Sequence, residues 1–201
     1  MYRLYCSDIN FITEEEYNNV LNGLPLKKQK EILSKKDEIK RKQSLAAYVL
    51  TKKALMEFEN REDEPEFFKG EHGKPYAINY KTHFNAAHSG HYTVVAVGDK
   101  PLGIDIEVMR PFSSAAAAKI LNEDEKNYIV LDNVQDNKNR RFLRLWTAKE
   151  AYLKYTGKGL SGGIKSLAFS FDKNILKHNQ NVKLYYENQI VDAVIAVVQE
   201  V

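Results

Sequence analysis

Two acidic side chains stand on alternate positions of the segment GIDIE, residues 103–107. If this segment is a strand, Asp105 and Glu107 point to one face and the two isoleucines to the other. Carboxylates this close repel each other unless a cation lies between them, and oxygen ligands suit a hard ion such as magnesium. A strand with one polar, solvent-facing side explains the pair equally well. The two acids alone therefore leave both interpretations open.

A second set of charged residues lies on the segment WTAKEAYLKYTG, residues 146–157. In a helix, Thr147, Glu150 and Lys154 fall at positions i, i+3 and i+7 and share one face, with Lys149 beside them. An ordinary pair between Glu150 and Lys154, which contributes about 0.2–0.5 kcal/mol, accounts for the same spacing. This helix also needs further evidence before it indicates a site.

Lysine, histidine and serine side chains occur in two short segments that precede GIDIE. The segment GKP covers residues 73–75, and FNAAHSG, residues 84–90, contains His88 and Ser89. A single histidine is more often structural than functional. Combined with paired acids and a helix bearing lysine and glutamate, however, these segments predict a site for a polyphosphate and its magnesium ion.

The stretch from Lys27 to Lys53 is strongly basic, although the net charge of the whole chain is only +3. It contains ten lysines and arginines, at positions 27, 28, 30, 35, 36, 40, 41, 42, 52 and 53, against three acids. Taken alone, such a run is usually a solvated helix face. Basic patches also bind nucleic acid, but no stacking-aromatic or helix-turn-helix pattern accompanies this one. We therefore expect no nucleic-acid partner, and an anion as the ligand of this stretch.

Strand and helix patterns alternate along the chain and predict an α+β fold. A strand opens the chain, a helix with a Thr13–Glu16 capping box follows, and the basic stretch reads as one helix over residues 27–59. A hairpin with GDKP as its turn is predicted over residues 84–109. Helices over 113–126 and 140–157 and three strands, LAFSF, VKLYYE and DAVIAVV, complete the pattern. The repeated order predicts two similar halves, residues 1–107 and 108–201.

Composition narrows the cellular setting. No run of about 18 apolar residues occurs, and the N-terminus lacks the layout of a secretory signal. We therefore expect a cytoplasmic protein without a membrane partner. The single cysteine, Cys6, excludes an intrachain disulfide and a zinc cluster built from cysteines.

Four segments in order, GKP, FNAAHSG, GIDIE and WTAKEAYLKYTGKGL, resemble those of 4'-phosphopantetheinyl transferases of the surfactin-synthetase-activating type. Each segment is weak evidence, but all four at suitable separations are specific and cover most of the chain. The resemblance implies two pseudo-symmetric α+β halves with the site in the cleft between them. It also implies an enzyme that transfers 4'-phosphopantetheine from coenzyme A to a serine of an apo acyl or peptidyl carrier protein, with magnesium as cofactor. We expect a monomer, although no feature of the sequence fixes the oligomeric state.

The resemblance further implies the roles of individual residues. Asp105, Glu107 and Glu150 match the magnesium ligands, and Lys154 matches a lysine that contacts the donor's phosphates. His88 and the basic helix match residues that hold the 3'-phosphate of coenzyme A, and GKP matches a turn along its adenine. The expected contacts to coenzyme A are Lys28, Arg41, Gly73, Lys74, Pro75, His88, Ser89, Lys149 and Lys154. The expected catalytic residues are Asp105, Glu150 and Lys154.

Two positions depart from the pattern of the family. Ala87 stands where a serine or threonine is common, which removes a hydroxyl contact of about 1–2 kcal/mol if that side chain faces the ligand. Gln43 stands where an arginine is frequent, and Arg41, Lys28 and Lys40 are the candidates to replace it. Neither position belongs to the magnesium ligands, so we expect an active enzyme.

Two questions remain open from the sequence. Either Glu150 or a metal-bound water is the base that takes the proton of the acceptor serine. The chain is alternatively a non-catalytic module that binds a phosphate polymer or a carrier protein, but this function leaves the three carboxylates unexplained. A P-loop nucleotidase is disfavoured, because YTGKGLSGG lacks the P-loop spacing and follows a helix.

Overall fold

The computed structural model describes residues 1–70, 73–111, 113–130, 135–157, 163–170, 175–176 and 181–201. The strands are β1 (Tyr2–Asp8), β2 (Phe67–Lys69), β3 (Pro75–Ala77), β4 (His83–Ser89), β5 (Tyr92–Gly98), β6 (Leu102–Val108), β7 (Phe169–Ser170), β8 (Ile175–Leu176), β9 (Val182–Glu187) and β10 (Ala193–Glu200). The helices are α1 (Glu14–Asn22), α2 (Leu26–Leu33), α3 (Glu38–Glu59), α4 (Ser114–Ile120), α5 (Glu123–Val130) and α6 (Gln135–Thr156). The predicted α+β class is confirmed. Across these ranges, no helix combines the length and apolar content needed to span a membrane.

The first large sheet has the strand order β1-β5-β4, and its neighbouring strands are antiparallel. Helix α3 covers one face of it, where Ala54 and Leu55 pack with Val95 and Val97 of β5. The alternate residues of β5 are also buried, on the opposite face. Burial on both faces explains why β5 is an almost continuous apolar run rather than an alternating one.

The second large sheet has the strand order β6-β10-β9 and is also antiparallel. Helix α6 covers one face of it, where Ala148 and Ala151 belong to the same buried cluster as Val194, Ala196 and Val198 of β10. Small residues on the helix let its backbone come close to the strands. The sheet therefore holds α6 next to β6, which carries the two acids of GIDIE.

The uncovered faces of the two sheets pack on each other and form the central core. Val94 and Ala96 of β5 share a buried cluster with Ile104, Ile106 and Ile195 of the second sheet. The order of layers is therefore α3, first sheet, second sheet, α6. Because Ile104 and Ile106 face this core, the residues that alternate with them, Asp105 and Glu107, face α6.

The sheets also meet edge to edge where β4 lies beside β6. The Oδ1 atom of Asn85 accepts a hydrogen bond of 3.0 Å from the amide of Ile104. The Oγ atom of Ser89 accepts one of 3.2 Å from the amide of Val108. These side chains satisfy amides of β6 on the side away from β10. The FNAAHSG segment is thereby fixed against GIDIE.

The two parts of the chain repeat one arrangement. In each part the sheet has its first strand at one edge, its last strand in the centre and its penultimate strand at the other edge, with a long helix on the outer face. This repeat agrees with the predicted pair of similar halves. The division at residue 107 stays a prediction, although β6 takes its hydrogen-bonded partner, β10, from the C-terminal part.

The predicted hairpin with GDKP as its turn is wrong. Strand β5 pairs with β1 and β4, whereas β6 pairs with β10. The hairpin that forms joins β4 to β5 through Gly90 and His91, and Gly90 adopts a φ of 57°. A two-residue hairpin turn needs such left-handed backbone, which glycine adopts without strain. The turn signal was therefore the Ser-Gly step of FNAAHSG.

The basic stretch folds as two helices rather than the one predicted. Helix α2 ends before residues 34–37 and α3 begins after them, where the Asp37 side chain accepts a 3.0 Å hydrogen bond from the amide of Lys40. The helix predicted over 113–126 is likewise divided into α4 and α5. There, Asn122 and Glu125 cap each other's amides at 2.9 and 3.0 Å. Capping side chains start a new helix in both places.

The closing strands are predicted with mixed success. VKLYYE and DAVIAVV correspond to β9 and β10, which confirms both. Strand β7 covers only two residues of LAFSF, and residue 171 of that segment lies outside the described residues. Residues 158–162, which include the end of WTAKEAYLKYTGKGL, lie outside them too.

Candidate active site

The position of α6 on β6 depends on Gly103, the first residue of GIDIE. A Cβ atom on Gly103 would lie 2.1 Å from the carbonyl oxygen of Ala151 and 2.4 Å from the amide nitrogen of Tyr155. Both atoms belong to the backbone of α6, so a larger residue has no side chain to displace. The glycine thus permits direct backbone contact between strand and helix. Asp105, two residues further along the same strand face, is brought under the last turns of α6.

Asp105 is a buried carboxylate, and only one of its two oxygens accepts a hydrogen bond from a described residue. Its Oδ1 atom accepts a hydrogen bond of 2.7 Å from Nζ of Lys154. Its Oδ2 atom is buried and has no hydrogen-bond partner among the described residues; we call this atom the open oxygen. Burial raises the pKa of Asp105 to about 6, the Lys154 ammonium opposes this rise, and the charges of Glu107 and Glu150 add to it. An unmet buried acceptor of this kind indicates a place for a cation.

Glu107 and Glu150 complete the acidic group. One oxygen of Glu107 accepts a 3.0 Å hydrogen bond from the Ser89 hydroxyl, and the other lies 3.3 Å from a guanidinium nitrogen of Arg110. Burial raises the pKa of Glu150, the Lys154 ammonium lowers it, and the charge of Glu107 raises it further. The three carboxylates therefore act on one another electrostatically, although they come from two elements.

The donor set fits a hard cation such as magnesium. All three candidate ligands are carboxylates, they repel one another, and the open oxygen of Asp105 lies among them. Within the described parts of the chain, no three histidine, cysteine or acidic residues are already spaced to hold a metal ion. The Lys154 ammonium instead bonds to Asp105. Side-chain rotations would therefore be needed to gather the three carboxylates around an ion.

Three lysines act electrostatically on His88, and one of them, Lys154, also bonds to Asp105. Partial desolvation lowers the pKa of His88, and the positive charges of Lys154, Lys35 and Lys40 lower it further. His88 itself is exposed at the end of β4. An exposed histidine in the field of three lysines suits a phosphate group, which would hold the imidazole in its charged form. Lys35 was not among the predicted ligands, because no spacing in the sequence relates it to His88.

The predicted contacts Lys28 and Arg41 are engaged within the N-terminal helices. The ammonium of Lys28 lies 3.2 Å from Glu31 and 4.9 Å from the ring centre of Tyr48. Arg41 donates from Nε to the carbonyl oxygen of Lys35 at 2.6 Å, and so holds the connection between α2 and α3. Arg41 thereby places Lys35, whereas the structure shows no direct link from Lys28 to His88.

The two departures from the family pattern have structural roles. Gln43 is buried and donates from Nε2 to the carbonyl oxygen of Gly90 at 2.8 Å, which anchors the hairpin turn after His88. Ala87 is buried in the core between the two sheets. Neither side chain therefore lies among the exposed groups around His88.

The GKP segment lies between β2 and β3 and borders a pocket of about 120 Å³. Gly73 has a φ of 78°, which turns the chain so that Pro75 begins β3. The pocket wall includes Lys74, Pro75, Tyr80, His83, Phe84 and Leu102. The ammonium of Lys74 does not point to solvent but donates to carbonyl oxygens at the end of α6, 2.9 Å from Lys154 and 3.1 Å from Tyr155.

The predicted contact between Lys149 and coenzyme A does not agree with the position of this side chain. It is fully buried, and its ammonium forms a 2.6 Å ion pair with Glu125 and a 2.8 Å hydrogen bond to the carbonyl oxygen of Ile120. Neighbouring residues of a helix point about 100° apart, so Lys149 reaches α5 while Glu150 reaches β6. It joins α6 to α4 and α5 and is not available to coenzyme A. Glu125 was not singled out in the sequence, although its capping position after Asn122 is recognisable there.

Comparison with known proteins gives one consistent family. Residues 101–198 match the 4'-phosphopantetheinyl transferase superfamily. The chain is 38% identical over 133 residues to the 4'-phosphopantetheinyl transferase gsp of Aneurinibacillus migulanus, covering 65% of this chain and 54% of that protein. It is 41% identical over 95 residues to the 4'-phosphopantetheinyl transferase psf-1 of Bacillus pumilus, covering 47% of this chain and 40% of that protein. A solved structure, the holo-[acyl-carrier-protein] synthase of Thermotoga maritima, is 21% identical with a TM-score of 0.40, covering 49% of this chain and 61% of that one.

The matched region contains the parts of the site that have the most distinctive geometry. It includes GIDIE and all of α6, and thus Asp105, Glu107, Glu150 and Lys154. The chain spans about half the length, or less, of the curated relatives that it matches. This region is therefore similar to the 4'-phosphopantetheinyl transferase superfamily, and the curated relatives that match it carry the same name.

Proposed function

We propose that this protein transfers the 4'-phosphopantetheine group from coenzyme A to a serine of an apo acyl or peptidyl carrier protein and that it requires magnesium. The observation that carries the proposal is the meeting of Asp105 and Glu107 on β6 with Glu150 and Lys154 on α6, around the open oxygen of Asp105. Carboxylates for a metal ion and a lysine for a phosphate are the groups that transfer from a pyrophosphate needs.

The surroundings support coenzyme A as the donor. The lysines that act on His88 provide charge for a 3'-phosphate, and the pocket beside GKP offers aromatic side chains, Tyr80 and Phe84, for a flat base.

The proposed reaction is a single displacement at phosphorus. The serine oxygen of the carrier attacks the phosphorus on the pantetheine side of the pyrophosphate, and a new bond forms between these atoms. The bond to the bridging oxygen breaks, and 3',5'-adenosine bisphosphate leaves with the electron pair. Glu150 is the proposed base for the serine proton, and Lys154 supports the charge on the bridging oxygen. A magnesium ion held by Asp105, Glu107 and Glu150 would neutralise the pyrophosphate and align it for in-line attack.

One experiment tests the activity directly. The protein is incubated with coenzyme A, magnesium and a panel of apo carrier proteins, and the carriers are weighed by mass spectrometry. A carrier that gains one phosphopantetheine, on a serine and only with magnesium, supports the proposal. Binding of coenzyme A or of a carrier without any mass gain across the panel favours the alternative, a non-catalytic binding module.

His88 and the lysines beside it are expected to select the 3'-phosphate of the donor. A charge-assisted hydrogen bond contributes about 1.5–3 kcal/mol, so dephospho-coenzyme A should bind about 10- to 100-fold more weakly than coenzyme A. The variant His88→Ala should shrink this difference. His91→Ala is the matched control, because His91 lies on the neighbouring turn and pairs with Asp8. Calorimetry with both ligands measures the effect. Equal affinities in the parent protein would show that the basic stretch is a solvated surface and does not bind the 3'-phosphate.

Salt is expected to weaken the apparent affinity for the apo carrier. The exposed lysines of α2, among them Lys27 and Lys30, would attract an acidic carrier at long range, and salt screens such attraction over about 10 Å at 0.1 M. The Michaelis constant for the carrier should therefore rise with sodium chloride more steeply than that for coenzyme A. The double variant Lys27→Gln, Lys30→Gln should flatten the response. A carrier constant that is independent of salt in the parent protein would indicate mainly apolar docking.

A further inference from the structure

Lys74 links the first part of the chain to the end of α6. Its ammonium lies 2.9 Å from the carbonyl oxygen of Lys154 and 3.1 Å from that of Tyr155. Helix α6 ends one residue later, and Gly157 leaves it with a φ of 71°. The lysine thus reaches across from the turn before β3 to the last turn of the helix that carries Glu150 and Lys154.

The contact has a clear electrostatic reason. The last four carbonyl groups of an α-helix have no partner within the helix, and the negative end of the helix dipole lies there. A lysine ammonium supplies both donors and positive charge, so it stabilises this end. The fit is close, because a Cβ atom on Gly157 would lie 3.9 Å from Cδ of Lys74. Lys74 is only partly exposed, and burial lowers its pKa.

We propose that Lys74 is a positioning residue, which holds the last turn of α6 so that the Lys154 side chain reaches Asp105 and the phosphates. The carbonyl oxygen of Lys154 accepts a hydrogen bond from Lys74, while the ammonium of Lys154 lies 2.7 Å from Oδ1 of Asp105. The inference rests on the proposed function for its effect on turnover, but not for its effect on the helix. It assigns to Lys74 a task other than direct contact with the donor.

The competing explanation is that Lys74 acts only on the donor, since it also borders the pocket beside GKP. The two roles differ in kinetics. Loss of a contact that is equal in the ground and transition states raises KM and leaves kcat unchanged. Displacement of a catalytic group lowers kcat, and an error of about 1 Å is enough for a loss of up to about 100-fold.

The kinetic test compares three variants with the parent protein. Lys74→Met keeps the length of the side chain and removes its donors, Lys74→Arg keeps donors and charge, and Lys183→Met is a control on an exposed lysine of β9. We expect Lys74→Met to lower kcat about 10-fold with KM for coenzyme A within about twofold of the parent. Lys74→Arg should recover most of the loss, and Lys183→Met should match the parent. A raised KM with unchanged kcat in Lys74→Met would overturn the proposal.

A second test needs no substrate and remains decisive if the parent protein transfers nothing. Loss of the cap should lower the Tm of Lys74→Met by about 2–4 °C, and should speed hydrogen exchange of the amides of residues 153–156. Neither change is expected in Lys183→Met. Unchanged Tm and exchange in Lys74→Met would overturn the positioning role, whereas an inactive parent with both changes present would reject the proposed function alone.

Discussion

Glu150→Gln is expected to lower phosphopantetheine transfer at least about 100-fold and to leave the fold intact. The substitution keeps the shape of the side chain but removes the charge that a metal ligand and base needs. Burial and the charge of Glu107 already raise the pKa of Glu150. Neutralising it therefore relieves repulsion in the free protein, and Tm should stay within about 2 °C of the parent.

Steady-state kinetics at several magnesium concentrations measure this effect. Glu62→Gln is a suitable control, because Glu62 is exposed in the loop after α3. A chelator should abolish activity in the parent and in the control. Turnover of Glu150→Gln close to that of the parent at moderate magnesium would exclude Glu150 from both the metal site and the chemistry.

A binding measurement separates the metal site from the chemistry. A ligand that binds only the folded state stabilises it by about 2.7 kcal/mol at 100 times its Kd. Magnesium should therefore raise the Tm of the parent by about 5–11 °C at such concentrations, and should raise that of Glu150→Gln much less. An equal rise in both proteins would show that the ion binds elsewhere. The same titration on Asp105→Asn examines the open oxygen.

Periodicity predicted which side chains share a face, and these predictions describe the site well. Asp105 and Glu107 alternate with buried isoleucines, and Glu150 and Lys154 lie one helical turn apart. Both pairs depend only on the geometry of a single strand or helix. Periodicity does not predict which elements these faces meet in the tertiary structure. That expectation came from the resemblance to a family.

The errors arose where distant parts of the chain compete for a residue. Lys149 was placed beside Glu150 by its position in sequence, but its partner Glu125 belongs to another helix. The strand β6 follows β5 closely, yet it pairs with β10, whose first residue is Ala193. Lys35 acts electrostatically on His88, which is about 50 residues away in sequence, and Arg41 holds the connection that carries Lys35. No local pattern encodes these three interactions.

Gly103→Ala is expected to destabilise the protein more than any other substitution considered for this site. The new methyl group would lie 2.1 Å from the Ala151 oxygen, 2.4 Å from the Tyr155 nitrogen and 2.9 Å from the Tyr155 Cα atom. All three are backbone atoms, so the clash is relieved only if α6 moves away from β6. Overpacking of this kind costs about 3 kcal/mol or more, which corresponds to a fall in Tm of about 6–12 °C.

The same displacement of α6 should also abolish transfer activity at temperatures at which the variant is still folded. A shift of α6 separates Lys154 from Asp105, now 2.7 Å apart, and carries Glu150 with it. Gly23→Ala is the matched control, since Gly23 has helical backbone and the nearest atom to its added Cβ is 3.5 Å away. That variant should keep the Tm of the parent or exceed it slightly, because alanine reduces the entropy of the unfolded chain. Thermal melts of both variants measure Tm, and transfer assays well below Tm measure activity. If Gly103→Ala keeps the Tm and turnover of the parent, then Gly103 is not needed for backbone contact between β6 and α6.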